Sequence, residues 1–186
     1  MTNKLLFIAV AVATSLFFNS CGDDDPVIPV EEEVITTLNY TLTPASGGAS
    51  ITLSFQDLDG DGGNAPILNG GTLAANETYN GSMELLNESD SPAENITEEI
   101  EEEDEEHQFF FQSSGVNVSV DYNDQDENGH PVGLLSTLTT GDNSNGTLTI
   151  VLRHQPDKSA TGVSDGNISN AGGESDIEVT FDLSVQ

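Results

Sequence analysis

The chain has 186 residues, with 3 Lys+Arg set against 33 Asp+Glu and a formal net charge of −30 at pH 7. A surface this acidic repels phosphate backbones and anionic headgroups, which excludes nucleic-acid binding; it attracts cations or a basic patch on a partner. With one cysteine, no intrachain disulfide can staple the fold, unusual for a small exported domain.

Residues 1–20 differ in composition from everything after them. Lys4 supplies a positive start, residues 5–18 form an apolar run interrupted by Thr14 and Ser15, and Asn19 and Ser20 precede Cys21. About 14 apolar residues fall short of the ~20 that span a bilayer as a helix. The charges that follow are acidic, not a basic stop-transfer flank, so the segment predicts a cleaved signal peptide. Cys21, behind the small Ser20, sits where a bacterial lipobox places the lipidated cysteine. Residues 22–33 hold Asp23, Asp24, Asp25, two prolines and Glu31, Glu32 and Glu33, a composition for a tether rather than a core. The acidic triplet resembles the signal that sends lipoproteins of the Bacteroidota to the outer face of the outer membrane. The expected organisation is a signal peptide at 1–20, a lipidated acidic tether at 21–33 and a folded domain at 34–186. The membrane is the first expected partner, reached through the lipid. The expected location is the outer membrane, exposed at the cell surface, with the periplasmic face as the alternative.

From residue 34 onward the pattern is β. Residues 34–43 alternate so that Leu38, Tyr40 and Leu42 share a face, and residues 51–55 alternate likewise after a turn at 44–48. Further strands are predicted at 77–87, 108–112, 116–122, 132–140, 146–153 and 176–185. Turn signals punctuate them at Gly47-Gly48, Asn80-Gly81, Asn128-Gly129, Asn145-Gly146 and Gly172-Gly173. About eight short strands at this spacing predict an all-β fold, a single antiparallel β-sandwich of immunoglobulin-like or related topology.

One short acidic helix or loop is predicted near 92–106. Ser91, Pro92 and Glu94 read as a helix start, with Ala93, Ile96 and Ile100 on one face. The run from Glu98 to Glu106 then stacks like charges at fourth-neighbour spacing, which opposes a helix by a few tenths of a kcal/mol per pair. A bound cation relieves that repulsion; a solvated acidic loop is the alternative.

Two loops present carboxylates in a cation-binding pattern. Asp57, Asp59 and Asp61, followed by Gly62, and Asp124, Asp126 and Asn128, followed by Gly129, place hard oxygens at alternate positions before a glycine. They are the candidate Ca2+ ligands. Neither completes an EF-hand, because the twelfth positions are Leu68 and Leu135 where a bidentate glutamate is required. Without metal, the same spacing serves Asx turns. The three histidines lie far apart with no local pair. His107, closing the glutamate run, and His154, beside Arg153 at a strand end, are transition-metal candidates if the fold brings them together; the alternative is unliganded surface histidines.

No catalytic grammar appears. With Cys21 lipidated there is no thiol nucleophile, and neither a glycine-rich phosphate loop nor a Gly-x-Ser-x-Gly elbow is present, so the chain is predicted not to be an enzyme.

The stretches 57–66, 91–97, 106–110, 152–156 and 170–179 resemble a group of small cell-envelope lipoproteins of flavobacteria and their relatives. Such proteins are often labelled type 1 periplasmic binding fold proteins. The resemblance implies an envelope lipoprotein, in some members beside a TonB-dependent outer-membrane receptor. The label implies two α/β lobes, whereas the alternation above implies a sandwich. Three functions follow as expectations. The first is a non-catalytic binding or accessory module, with such a receptor as candidate partner; the second is a calcium- or transition-metal-binding lipoprotein; the third is a passive structural surface protein.

Overall fold

The computed structural model describes residues 33–186 other than Asp61 and Asp90. The expected signal peptide, Cys21 and residues 22–32 of the expected tether lie outside them. In chain order the elements are β1 (Thr37–Pro44), β2 (Ile51–Gln56), β3 (Ile67–Asn69), β4 (Gly71–Leu73), β5 (Thr78–Asn87), β6 (Glu94–Asn95) and helix α1 (Ile96–Glu102). A 3-10 turn (Asp104–Glu106) leads into β7 (His107–Ser114), β8 (Val118–Tyr122), β9 (Leu135–Thr140) and β10 (Ser144–His154). A second 3-10 turn (Ile168–Asn170) precedes β11 (Glu174–Val185).

The described strands form two sheets, one ordered β3-β2-β1-β5-β9-β8 with β6 added beside β5, the other ordered β4-β11-β10-β7. The fold is all-β and sandwich-like. All eight predicted strands are present. The additional ones, β3, β4 and β6, are two or three residues long, too short for alternation to betray them. The sheets are not wholly antiparallel, since β4 pairs with β11 in parallel.

Period-two alternation builds the core. Leu38, Tyr40 and Leu42 of β1 do share the buried face, opposite Leu148, Ile150 and Leu152 of β10 and Val179, Phe181 and Leu183 of β11. Helix α1 covers one end of this core with Ile96 and Ile100. Its threonine, Thr97, accepts from the Leu85 amide at 2.8 Å and so ties the helix to β5. A second, smaller cluster lies on the outer face of the four-stranded sheet, where Phe110 and Val151 pack beneath Val163 and Ala171 of the 155–173 connection.

Three local readings need correction. Asn80-Gly81 and Asn145-Gly146 are not turns; they lie inside β5 and near the start of β10. Glycine stands there because neighbours press in: a Cβ on Gly81 would lie 2.5 Å from Ser136 Oγ and 2.6 Å from the Tyr40 hydroxyl, and one on Gly146 would lie 2.0 Å from the Ser114 carbonyl. Tyr40 and Ser136 hydrogen-bond at 2.8 Å over the space Gly81 leaves. Burial pushes the Tyr40 phenol up to about 12, despite that bond. The helix does not start at Pro92. Glu94 and Asn95 pair with Asn87 and Leu86, which keeps the chain extended until Ile96. Among the described residues no helix is long and apolar enough to cross a membrane.

Candidate metal centre

β7 and β10 are antiparallel neighbours, and their register sets His107 directly opposite His154. By alternation His107 continues the inward row of Phe109 and Phe111, and His154 continues that of Ile150 and Leu152. Both imidazoles therefore enter the same end of the sandwich interior. They stack with centroids 4.7 Å apart and planes 22° from parallel. Neither is the surface histidine that the sequence allowed.

β11 supplies the third group through an irregularity. Leu152 pairs with Ile177 but Arg153 pairs with Ser175, which leaves Asp176 as an extra residue in a β-bulge. A bulge breaks alternation and re-aims a side chain. Here it turns Asp176, whose neighbours Glu178 and Thr180 face solvent, so that its carboxylate is wholly shielded. The fourth group is Glu33, assigned to the tether by sequence yet only 7% exposed at its side chain. It lies in the segment that leads into β1.

The distances describe a small polyhedron. His107 Nε2 lies 3.2 Å from Glu33 Oε1 and 3.8 Å from Asp176 Oδ2. His154 Nδ1 lies 3.9 Å from Glu33 Oε2 and 3.8 Å from Asp176 Oδ1. One ligand atom from each of the four residues lies within 4.8 Å of every other. His107 Nε2, His154 Nδ1 and Glu33 Oε2 are shielded and make no hydrogen bond, a condition that costs free energy in a dry site.

The opposite ring nitrogens are oriented by the acidic turn. His107 Nδ1 is 3.1 Å from the Glu103 carbonyl. A carbonyl only accepts, so Nδ1 is the donor of this contact, and Nε2 is the nitrogen aimed at the centre. His154 Nε2 faces the Glu106 carboxylate at 3.7 Å. The His107 contact is that of a metal-binding histidine, whose far nitrogen is held by a carbonyl or carboxylate; the His154 contact is longer than a hydrogen bond.

The donor set fits a borderline cation. Two imidazoles and two carboxylates suit zinc and its neighbours, whereas Ca2+ takes six to eight oxygens. Zinc bonds of ~2.0–2.2 Å in a tetrahedron imply ligand separations of roughly 3.3–3.6 Å. The four ligand atoms, one from each residue and within 4.8 Å of one another, reach that geometry by drawing in by up to about 1 Å. With neutral histidines the four groups carry a formal −2, which a divalent ion neutralises.

The sequence-predicted calcium ligands go elsewhere. Asp57 Oδ1 accepts from the amides of Asp59 and Gly60 at 3.3 and 2.9 Å, an Asx turn. Asp59 Oδ2 accepts from the backbone and side-chain nitrogens of Asn64 at 3.1 and 2.7 Å, and these bonds hold its carboxyl below the usual range. Asp61 lies outside the described residues. Asp124 accepts from the amides of Gly133 and Leu135, both at 2.7 Å. Asp126 accepts from the amides of Asn128 and His130 and from Lys158 Nζ at 3.0 Å. Asn128 donates to Glu105 at 2.9 Å. Among the described residues, the His107 centre is the only convergence of three or more His, Cys, Asp or Glu ligand atoms. Asp57 and Asp59 do line the open cleft that also touches Asp176.

Sequence reasoning named His107 and His154 and missed Glu33 and Asp176. The missed pair has no local spacing to announce it. The end of the glutamate run at His107 and the strand end at His154 were the available signals, and the register that joins them was not. No family model matches this chain, and neither the curated proteins nor the solved structures contain a significant match to it.

Proposed function

We propose that this protein is a non-catalytic, lipid-anchored envelope protein that holds one divalent transition-metal ion, zinc by its ligand chemistry, between Glu33, His107, His154 and Asp176. The carrying observation is the convergence of two shielded imidazole nitrogens and two carboxylates within 4.8 Å of one another. Support for the envelope location comes from the apolar run at 5–18 with Ser20 and Cys21. The four side chains are 0–7% exposed, so the coordination shell is closed, as in metal sites that hold an ion rather than present it to a substrate. Ligands drawn from three strands of one sheet and from the segment leading into β1 make the ion a cross-brace, in a chain whose single cysteine cannot form an internal disulfide.

The test is calorimetric titration of the purified protein with Zn2+ and, separately, Ca2+. One zinc per chain, with binding lost in a His107→Ala/His154→Ala variant, is the expected result. Saturable zinc binding that survives in that variant places the metal elsewhere and overturns the assignment.

A further inference from the structure

We propose that the acidic run 103–106 is the outer shell of this metal centre and that Lys158, far away in sequence, is the positioning residue that sets it in place. The inference rests on the metal reading above.

After residue 20 the chain keeps only Arg153 and Lys158 as positive side chains. Lys158 is 5% exposed, and lysine is almost never buried unless paired. Its ammonium donates to the backbone carbonyl of Asp104 and to Asp126 Oδ2. Asp126 is itself fixed by the amides of Asn128 and His130 at 3.0 and 2.8 Å. Lys158 therefore pins the acidic turn to a rigid acceptor.

Each of the next two acids in the turn is held by a further donor. Asn128 Nδ2 bonds the Glu105 carboxylate at 2.9 Å. Gln155 gives its amide to the Glu106 carbonyl at 2.6 Å and its side chain to the Glu106 carboxylate at 2.9 Å. The two ends of the turn then face the two imidazoles, through the Glu103 carbonyl at 3.1 Å from His107 Nδ1 and the Glu106 carboxylate at 3.7 Å from His154 Nε2. A carbonyl that accepts from Nδ1 fixes the tautomer, and a carboxylate beside the far nitrogen raises the basicity of the ligand. A stretch of like charges that resists folding on its own is thus held by one buried cation and two amide side chains. The residues predicted as calcium ligands, Asp126 and Asn128, belong to that support.

The experiment compares the purified wild type with Lys158→Met/Asp126→Asn and with Gln155→Asn. Zinc affinity is read by chelator competition, and the His107 tautomer by nitrogen-15 NMR of the zinc-free proteins. Removing Lys158 and the Asp126 charge together leaves no buried unpaired ion. The asparagine side chain introduced at position 126 keeps an oxygen that still accepts from both amides. Gln155 has φ +50, which asparagine tolerates, so that variant withdraws one side-chain donor from Glu106 without disturbing the turn. The double variant is expected to lose about 10- to 100-fold in zinc affinity and to show mixed His107 tautomers. Gln155→Asn, which reaches only the Glu106 carboxylate, is expected to lose less and to keep the His107 tautomer. Wild-type affinity and an unchanged tautomer in a folded double variant overturn the inference while leaving the metal centre standing. If the double variant does not fold, unchanged zinc affinity in Gln155→Asn overturns it. If the wild type binds no zinc, the metal reading fails, and with it the proposed outer shell.

Discussion

In the loop after β2, Asp57 and Asp59 sit two residues apart and spend oxygens on amides no more than five residues away. At the sandwich end, Glu33, His107, His154 and Asp176 come from four separate parts of the chain and meet within 4.8 Å. The first arrangement has the spacing of a cation loop and the hydrogen bonds of a turn. The second has no spacing at all and forms the proposed metal centre. Local carboxylates are the ones a turn can satisfy locally, while strand register can hold ligands together that no turn serves.

The largest expected effect separates the two regions outright. His107→Ala/His154→Ala lowers zinc affinity beyond the ~100-fold that loss of outer partners alone costs. Asp57→Ala/Asp59→Ala, by contrast, changes it by no more than about two- to threefold, as for an independent site. Chelator competition on the two variants reads both.

A smaller effect concerns the cross-brace. At zinc a hundredfold above Kd, stability rises by about 2.7 kcal/mol, or roughly 5–10 °C in Tm for a domain of this size. Scanning calorimetry with zinc and then with a chelator measures the shift. The double histidine variant is expected to show none.

Core packing away from the centre gives a third comparison. Gly81→Val forces a side chain into Tyr40 and Ser136 and is expected to cost about 1–3 kcal/mol by overpacking, read by urea unfolding. Zinc affinity in the folded protein stays at the wild-type value.

The smallest effect is pH-dependent and lies in the support loop. Burial pushes the Asp126 carboxyl upward, but the Lys158 hydrogen bond and charge and the amides of His130 and Asn128 outweigh it, and the net shift is downward. A carboxyl lowered in the folded state contributes stability that is present above its unfolded value of about 3.9 and lost as pH falls through the folded one. The stability gap between wild type and Asp126→Asn is therefore expected to narrow below about pH 4. A gap that stays constant down to about pH 2 removes Asp126 from that role.

Much of the fold was legible in the sequence. The alternation of Leu38, Tyr40 and Leu42 located a buried face, because a strand repeats every two residues. Asn80-Gly81 misled because its glycine answers to Tyr40 and Ser136, contacts made across strands. The two histidines were legible as the end of a glutamate run and the end of a strand, and no further. Their meeting depends on the β7–β10 register, and the arrival of Asp176 beside them on one extra residue in β11, and neither leaves a mark in local spacing. Glu33 was hidden by its neighbours, since a run of three glutamates after two prolines reads as tether whichever one of them is a ligand.

The most direct measurement is X-ray absorption at the zinc edge on the zinc-loaded protein. A shell of four nitrogen and oxygen ligands at about 2.0–2.2 Å, with the outer scattering of two imidazoles, is the predicted result. A shell of oxygens alone, without imidazole scattering, contradicts the centre and returns the metal to the acidic loops.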